Sequence, residues 1–430
     1  MKNTVKIVYI CCFSTPEVRS RLKLASLSWS NLLRRLKGLP LVKYGDSGTW
    51  NADFIKTFEN QANYNCTVIS HGFGMKNKEQ RFEMRGVNYI FLQQKEALKK
   101  KVIKTFVKRM RQNDYEGDGR RIKRYVDAID PDLVIVCGAE NAIYSSSVLY
   151  IKDKPVFILM QTLINSTKRK EMGMGNDAWR RFEDNVLKKA CYFGTLNKEE
   201  VEYIHQLNPH ANCLRLAFPS SAPNIDRPKE KEYDFVFFAN SLSKYKGSED
   251  ALRAFCLVHR KYPQAKFNMI GACEKGFMER LEKVIIDNQV SHNVVFHNHF
   301  PMKADMIRQV QKARFAVLPS ITAALNSTVR ESMFMEIPVI IYETAVTSVI
   351  NKECRCLLSA RMEDVDDLGQ KMIYAYEHTE KMKTLAKRAK NYASKMFSIE
   401  GVKKTMDADV RAIIAHYYKK EYIPKELLFD

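Results

Sequence analysis

Residues 318–342 read LPSITAALNSTVRESMFMEIPVIIY, and their order of apolar strand end, polar turn, short helix and second apolar strand decides the fold. Phe315 to Leu318 is a run of buried-strand type, and Pro319-Ser320 interrupts it where an open α/β sheet places its ligand crevice. The chain then restarts as a helix. Ser327 or Thr328 stands where a cap is needed, and Thr328-Val-Arg-Glu331 has the spacing of a capping box, in which hydroxyl and carboxylate satisfy orphan backbone N–H groups reciprocally. That is the purely structural reading of Glu331. A helix N-terminus entered from a strand also gathers unpaired N–H groups and positive dipole, which suits a diphosphate.

Upstream, Asp234 to Ala239 reads as a strand, Lys246-Gly247 closes its turn, and a helix follows from Ser248 to Tyr262. Phe267 to Gly271 and Asn293 to Phe296 read as two further strands. Taken with Pro319-Ser320, Glu331-Ser-Met333 and Pro338-Val-Ile340, these motifs resemble, in order and spacing, the retaining family 4 glycosyltransferases over residues 231–400. The resemblance implies an α/β GT-B fold: two Rossmann-like doubly wound domains facing each other across a cleft. It also implies a nucleoside diphosphate sugar as donor substrate, with no cofactor and no metal. Lys246 would stabilise the leaving diphosphate and Glu331 would hold the donor ribose. The donor-binding set implied is Asn240, Ser241, Lys244, Lys246, Gly247, Gly271, His299, Ser320, Asn326, Ser327, Thr328 and Glu331. Two positions depart from the family. Ala323 stands where a first Glu usually faces the transferred sugar, and Asn240 and Ser241 stand where an Arg usually grips the diphosphate. Lys244 is the replacement cation at hand, because a point-charge ammonium on a flexible stem serves phosphate from several backbone positions. The structural reading of Lys244 and Lys246 is a solvated loop pair.

The first half repeats strand, loop and helix. Lys6 to Cys12, Cys66 to Ser70, Val87 to Leu92, Asp132 to Cys137, Pro155 to Met160, Cys191 to Leu196 and Cys213 to Ala217 are apolar runs of a doubly wound sheet. Here the resemblance rests on Asp130-Pro-Asp-Leu-Val-Ile135 and the strand after it. The family's Gly-Gly loop is replaced by Ser14 to Ser20, and Gln161 stands near the place of a His that contacts the donor sugar. Glu140, Gln161 and Asn165, each at an expected strand end, are the candidates from this half, Glu140 and Gln161 as catalytic groups. A buried polar residue satisfied by backbone is the structural alternative for each. The expected organisation is an acceptor-side domain at 1–218, a Pro- and Ser-rich linker at 219–230 and a donor-binding domain at 231–405. A C-terminal helix at 406–430 is expected to cross back to the first domain, and hinge closure across the linker to form the active cleft.

Length and composition agree. At 430 residues the chain exceeds one ordinary core, and two domains fit it better. With 45% hydrophobic and 28% charged residues it is globular rather than disordered. Its longest apolar runs, such as Ile7 to Phe13, are far short of the ~20 residues of a spanning helix. Ten cysteines without C-x-x-C spacing fit free thiols in the cytoplasm rather than a zinc site. The acidic run Glu363 to Asp367 reads as a helix start. Of the formal net charge of +21, residues 1–220 carry +15, concentrated in Lys99 to Arg124, of which Lys99 to Arg111 is an amphipathic, helix-like stretch. Such a stretch lies on an anionic membrane surface or packs as an ordinary domain helix. Nucleic-acid binding is not expected, because no recognisable module is present and the aromatics do not interleave with the basic residues in a stacking pattern.

The function expected is a hexosyltransferase, retaining and metal-independent. It would move a sugar to a glycan or lipid-linked glycan acceptor in cell-surface polysaccharide biosynthesis, in the cytoplasm or on the inner membrane face. The alternatives are a non-catalytic nucleotide-sugar or partner-binding relative of the same fold, and a nucleotide-sugar epimerase.

Overall fold

The computed structural model describes residues 4–36, 44–72, 74–93, 114–220, 228, 230–298, 300, 302–322 and 325–429. The basic stretch Lys99 to Arg111, the candidate His299, Ala323 and most of the 219–230 segment lie outside them.

The described chain forms two compact units. One comprises residues 1–195, 199–219 and 402–430; the other comprises 196–198 and 220–401. In the first unit β1 (Val5–Cys11), β2 (Tyr64–Gly72), β3 (Glu79–Met84), β4 (Val87–Gln93), β5 (Leu133–Cys137), β6 (Val156–Leu159), β7 (Tyr192–Thr195) and β8 (Asn212–Arg215) make one sheet in the order β3-β4-β2-β1-β5-β6-β7-β8. Every pairing is parallel except β3 with β4. The central strands are apolar on both faces because helices cover both, the rule for parallel sheets; Ile7 to Cys11 and Leu133 to Cys137 are fully buried. The antiparallel β3 is the strand that periodicity misses. Its sequence, EQRFEM, is half charged, as suits an edge strand, and it is pinned by Phe82 stacking on Tyr89 and Phe91 at 4.9 and 5.8 Å.

The second unit holds β9 (Tyr233–Ser241), β10 (Phe267–Ala272), β11 (Val294–His297), β12 (Ala313–Val317), β13 (Val339–Tyr342) and β14 (Leu358–Ala360). All are parallel, in the order β11-β10-β9-β12-β13-β14. Its core is aromatic: Phe235 packs on Phe315 at 5.6 Å, and Phe255 on Phe267 at 5.2 Å. The acidic run does open a helix, with Asp364 as N-cap accepting from Asp367 N.

The helix Ile399–Lys419 begins in the second unit and continues in the first. Val402, Met406, Val410 and Ile413 line one stripe of it, at helical spacing, and join the first unit's core. Among the described residues, no helix is long and apolar enough to cross a membrane.

Candidate functional site

In each sheet one gap between neighbouring strands is a topological switch point, where the chain leaves the first strand toward one edge and returns on the other side. That gap is β9/β12 in the second unit and β1/β5 in the first. Ligands of open α/β sheets bind outside the carboxyl ends of such strands.

The second unit's switch point is built by the two loops singled out in the sequence. Gly247, at φ +72°, packs so closely on the exit of β12 that a Cβ there would lie 1.9 Å from Pro319 O. The same contact brings Tyr245 O within reach of two donors, Ile321 N at 3.2 Å and Ser320 Oγ at 3.3 Å. Held in this way, Lys246 donates from Nζ to Asn326 Oδ1 at 2.9 Å. Lys244 sits exposed on the same one-turn 3-10 helix, and Asn240 and Ser241 are exposed at the end of β9. Gly271, the last residue but one of β10, has φ +154°, and a Cβ there would come 2.8 Å from Ala239 O.

The helix after β12 runs Ser327–Phe334, with Asn326 as N-cap. This corrects the capping box. Thr328 lies inside the first turn, where its carbonyl accepts from Ser332 Oγ at 2.9 Å, so it is not the residue that caps. Asn326 makes no side-chain cap either, and its side-chain oxygen accepts from Lys246 instead. Among the described residues, no N-cap side chain takes up the first N–H groups of the helix, the arrangement that suits an anion. Glu331 does not reach back to the helix start. It is buried and forms an ion pair from Oε1 to Lys303 Nζ at 2.6 Å.

Lys303 is the site residue that sequence reasoning missed. It opens the helix Lys303–Val310 beyond β11, and no local spacing links it to Glu331. Only the sheet order, which sets β10 and β9 between their strands, brings the two loops to one rim.

At the first unit's switch point, Glu140 follows β5 through Gly138, whose φ of +83° and lack of a Cβ leave room for the Glu140 carboxyl, 2.3 Å from where a Cβ would be. Burial pushes the Glu140 carboxyl up to about 8, the nearby carboxylates of Glu183 and Glu200 adding to the rise. Its Oε2 has no hydrogen-bond partner. A neutral carboxyl near pH 7 is a proton donor, the state a general acid needs. Gln161 is held by Cys137 Sγ at 3.6 Å from its Oε1. Asn165 belongs to the scaffold: its Nδ2 donates to Asp184 Oδ1 at 2.9 Å and to Glu183 Oε2 at 3.1 Å. A cavity of about 320 Å³ lies beside the segment after β1 and the ends of β2 and β4, not against Glu140 or Gln161; it is lined by Phe13, Arg19, Tyr44, Asp46 and Phe91 among others and is within the size range of small-molecule sites. Among the described residues, no group of three or more His, Cys, Asp or Glu is placed to hold a metal ion.

Residues 223–392 match the family described as Glycosyl transferases group 1. No curated protein matches the chain. Among solved structures, sucrose-phosphate synthase from Thermosynechococcus elongatus is similar at 12% identity and TM-score 0.65, over 96% of this chain and 99% of that one. The Anabaena HepE structure in complex with UDP and glucose is similar at 12% identity and TM-score 0.63, over 95% and 99%. An E. coli trehalose-6-phosphate structure bound with UDP-2-fluoro glucose aligns at 8% identity and TM-score 0.66, over 94% and 99%. At these identities the likeness speaks for the fold. Residues 223–392 thus match the group 1 glycosyl transferase family, and the fold is like the GT-B fold of these solved structures.

Proposed function

We propose that the protein is a retaining glycosyltransferase that uses a nucleoside diphosphate sugar. The observation that carries this is the second unit's switch point, where Lys246 is tied to the start of a helix that lacks a side-chain cap and that buries Glu331 on its next turn. The family match over the same residues, and the UDP in two of the similar structures, support a nucleoside diphosphate there. In this reading the Lys246 ammonium, assisted by Lys244, and the N–H groups of Ser327 and Thr328 take up charge as the diphosphate leaves. Preorganised donors contribute most where charge develops. Glu331 accepts the ribose hydroxyls of the donor. The finer reading is a hexose as the transferred sugar and a glycan or lipid-linked glycan as acceptor, in surface polysaccharide synthesis at the inner face of the membrane. Glu140 is the first unit's candidate proton donor.

The test is calorimetry of the full chain with UDP, GDP and ADP. Lys246→Ala is expected to weaken the preferred diphosphate by about ten- to a hundredfold, the scale of a charged hydrogen bond. Its melting temperature should hardly move. Equal affinities before and after the change would make Lys246 a surface lysine only.

Glu331→Gln keeps side-chain length but can accept through one oxygen, turning its amide nitrogen toward a hydroxyl that must reverse its role. Affinity for the ribonucleotide is expected to fall at least about tenfold, while binding of inorganic pyrophosphate stays as it was. A variant that binds both as the wild type does would remove Glu331 from the donor site.

A second reading is favoured by the sequence itself, in which Ala323 replaces the family's first Glu and no Arg stands at Asn240 or Ser241. This would be a donor-binding relative that has lost turnover. Nucleotide binding without sugar release or transfer, across a panel of acceptors, would establish that reading over the enzymatic one.

A further inference from the structure

The pairing of Glu331 with Lys303 is lopsided. The Glu331 side chain is 5% exposed and the Lys303 side chain 61%. A buried carboxylate is costly unless a partner compensates it, whereas an exposed lysine gives up a flexible, hydrated stem to take one fixed position. Exposed ion pairs rarely contribute enough to justify that ordering. The two groups also come from loops beyond different strands, β11 and β12, with β10 and β9 between them. Their 2.6 Å contact therefore reaches across the carboxyl ends of β10 and β9, along the rim that holds Lys246 and Asn326. The ammonium holds Oε1, and a carboxylate held at one oxygen has the direction of its remaining lone pairs constrained by that partner as well as by the helix that carries it.

We propose that Lys303 is a positioning residue that makes the site specific for ribonucleotides, by fixing the orientation in which the Glu331 carboxylate accepts the ribose hydroxyls. This rests on the reading of Glu331 as the ribose acceptor, and it adds a residue from another loop that acts through it. Lys303→Met removes the ammonium and keeps an unbranched stem. Lys303→Arg restores a cation that binds a carboxylate from the same backbone position.

The experiment is calorimetry of the full chain with UDP, GDP and ADP and their 2′-deoxy counterparts, with the melting temperature as a check on folding. Wild type should prefer the ribonucleotide by about tenfold, the scale of a hydrogen bond to a charged group. In Lys303→Met that preference should shrink to about twofold or less by loss of ribonucleotide affinity, the deoxy affinity staying put. In Lys303→Arg it should return to within about threefold of wild type. A loss common to ribo- and deoxynucleotide, or no loss, overturns the proposal, since a general field effect or an ordinary surface pair would not read the 2′-hydroxyl. Glu331→Gln separates the two failures. If it abolishes the preference while Lys303→Met keeps it, only the role of Lys303 falls; if it leaves the preference intact, the ribose reading of Glu331 falls first. The double variant, free of the uncompensated carboxylate, should match Glu331→Gln alone.

Discussion

Gly247→Ala is expected to destabilise the second unit by about 3–5 kcal/mol, a size reserved for backbone strain and overpacking combined. The strain comes from φ +72°, a left-handed conformation that costs alanine and not glycine. The overpacking is harsher, because the new Cβ would fall 1.9 Å from Pro319 O and 2.7 Å from Pro319 C. Both are backbone atoms at the exit of β12, so no side chain can swing away to relieve the contact. Relief has to come from parting the Lys246 loop from the Pro319 loop. That movement would break the bonds from Ile321 N and Ser320 Oγ to Tyr245 O and carry Lys246 away from Asn326. Nucleotide binding should fall with stability. Gly276 is the control. It lies within the helix Lys275–Asp287, has no atom within 4 Å of its would-be Cβ, and its change to alanine should stabilise by about 0.5–1 kcal/mol. Urea unfolding of both variants gives the comparison, and an unchanged midpoint for Gly247→Ala would show that the two loops are not locked together.

The closeness of that contact explains why the second unit was legible from sequence. A switch point needs a glycine where two loops meet, a proline where β12 stops and a polar helix start, and Lys246-Gly247, Pro319-Ser320 and Asn326 to Thr328 carry those demands at fixed spacing. The strands were legible because burial on both faces requires unbroken apolar runs, as in β5 and β13. Legibility failed where the partner is distant in sequence. Glu331 has the spacing of a capping box, but tertiary structure gave its carboxylate to Lys303 and gave the capping oxygen of Asn326 to Lys246. Local pattern shows what a side chain is able to do, and tertiary competition decides among those options. The edge strand β3 escaped for a different reason: with a single aromatic anchor among charges, it has no buried face to advertise. In the first unit the loop after β1 lacks the family's paired glycines and the loop after β6 has Gln161 near the place of its histidine, so Glu140 is marked only by its place at a strand end.

Asp409 sits where an apolar residue would be expected, and the second large effect follows from it. It lies on the helix Ile399–Lys419, next to Val410, three residues after Met406 and four before Ile413, all of which belong to the first unit's core. The residue is 0% exposed and neither carboxylate oxygen has a hydrogen-bond partner. Burial alone pushes its carboxyl from 3.8 up to about 8. Because the folded value is raised, the folded state holds the proton more tightly than the unfolded one. Folding therefore bears no penalty below the unfolded value near 4, an increasing one as pH rises toward 8, and a constant one above it. At 1.36 kcal/mol per unit, the full penalty is about 6 kcal/mol. Asp409→Asn imitates the protonated form at every pH and retains the cost of an unpaired buried amide, about 1–3 kcal/mol. The variant should therefore match or fall below wild type at pH 4.5 and exceed it by about 3 kcal/mol at pH 8.5. Comparing the two proteins at each pH cancels the titration of the other carboxylates. Urea unfolding at several values between these limits gives the difference curve. A difference that stays flat across the range would mean that Asp409 has a partner in solution or reaches water, and that the helix is not sealed onto the first unit's core at this point.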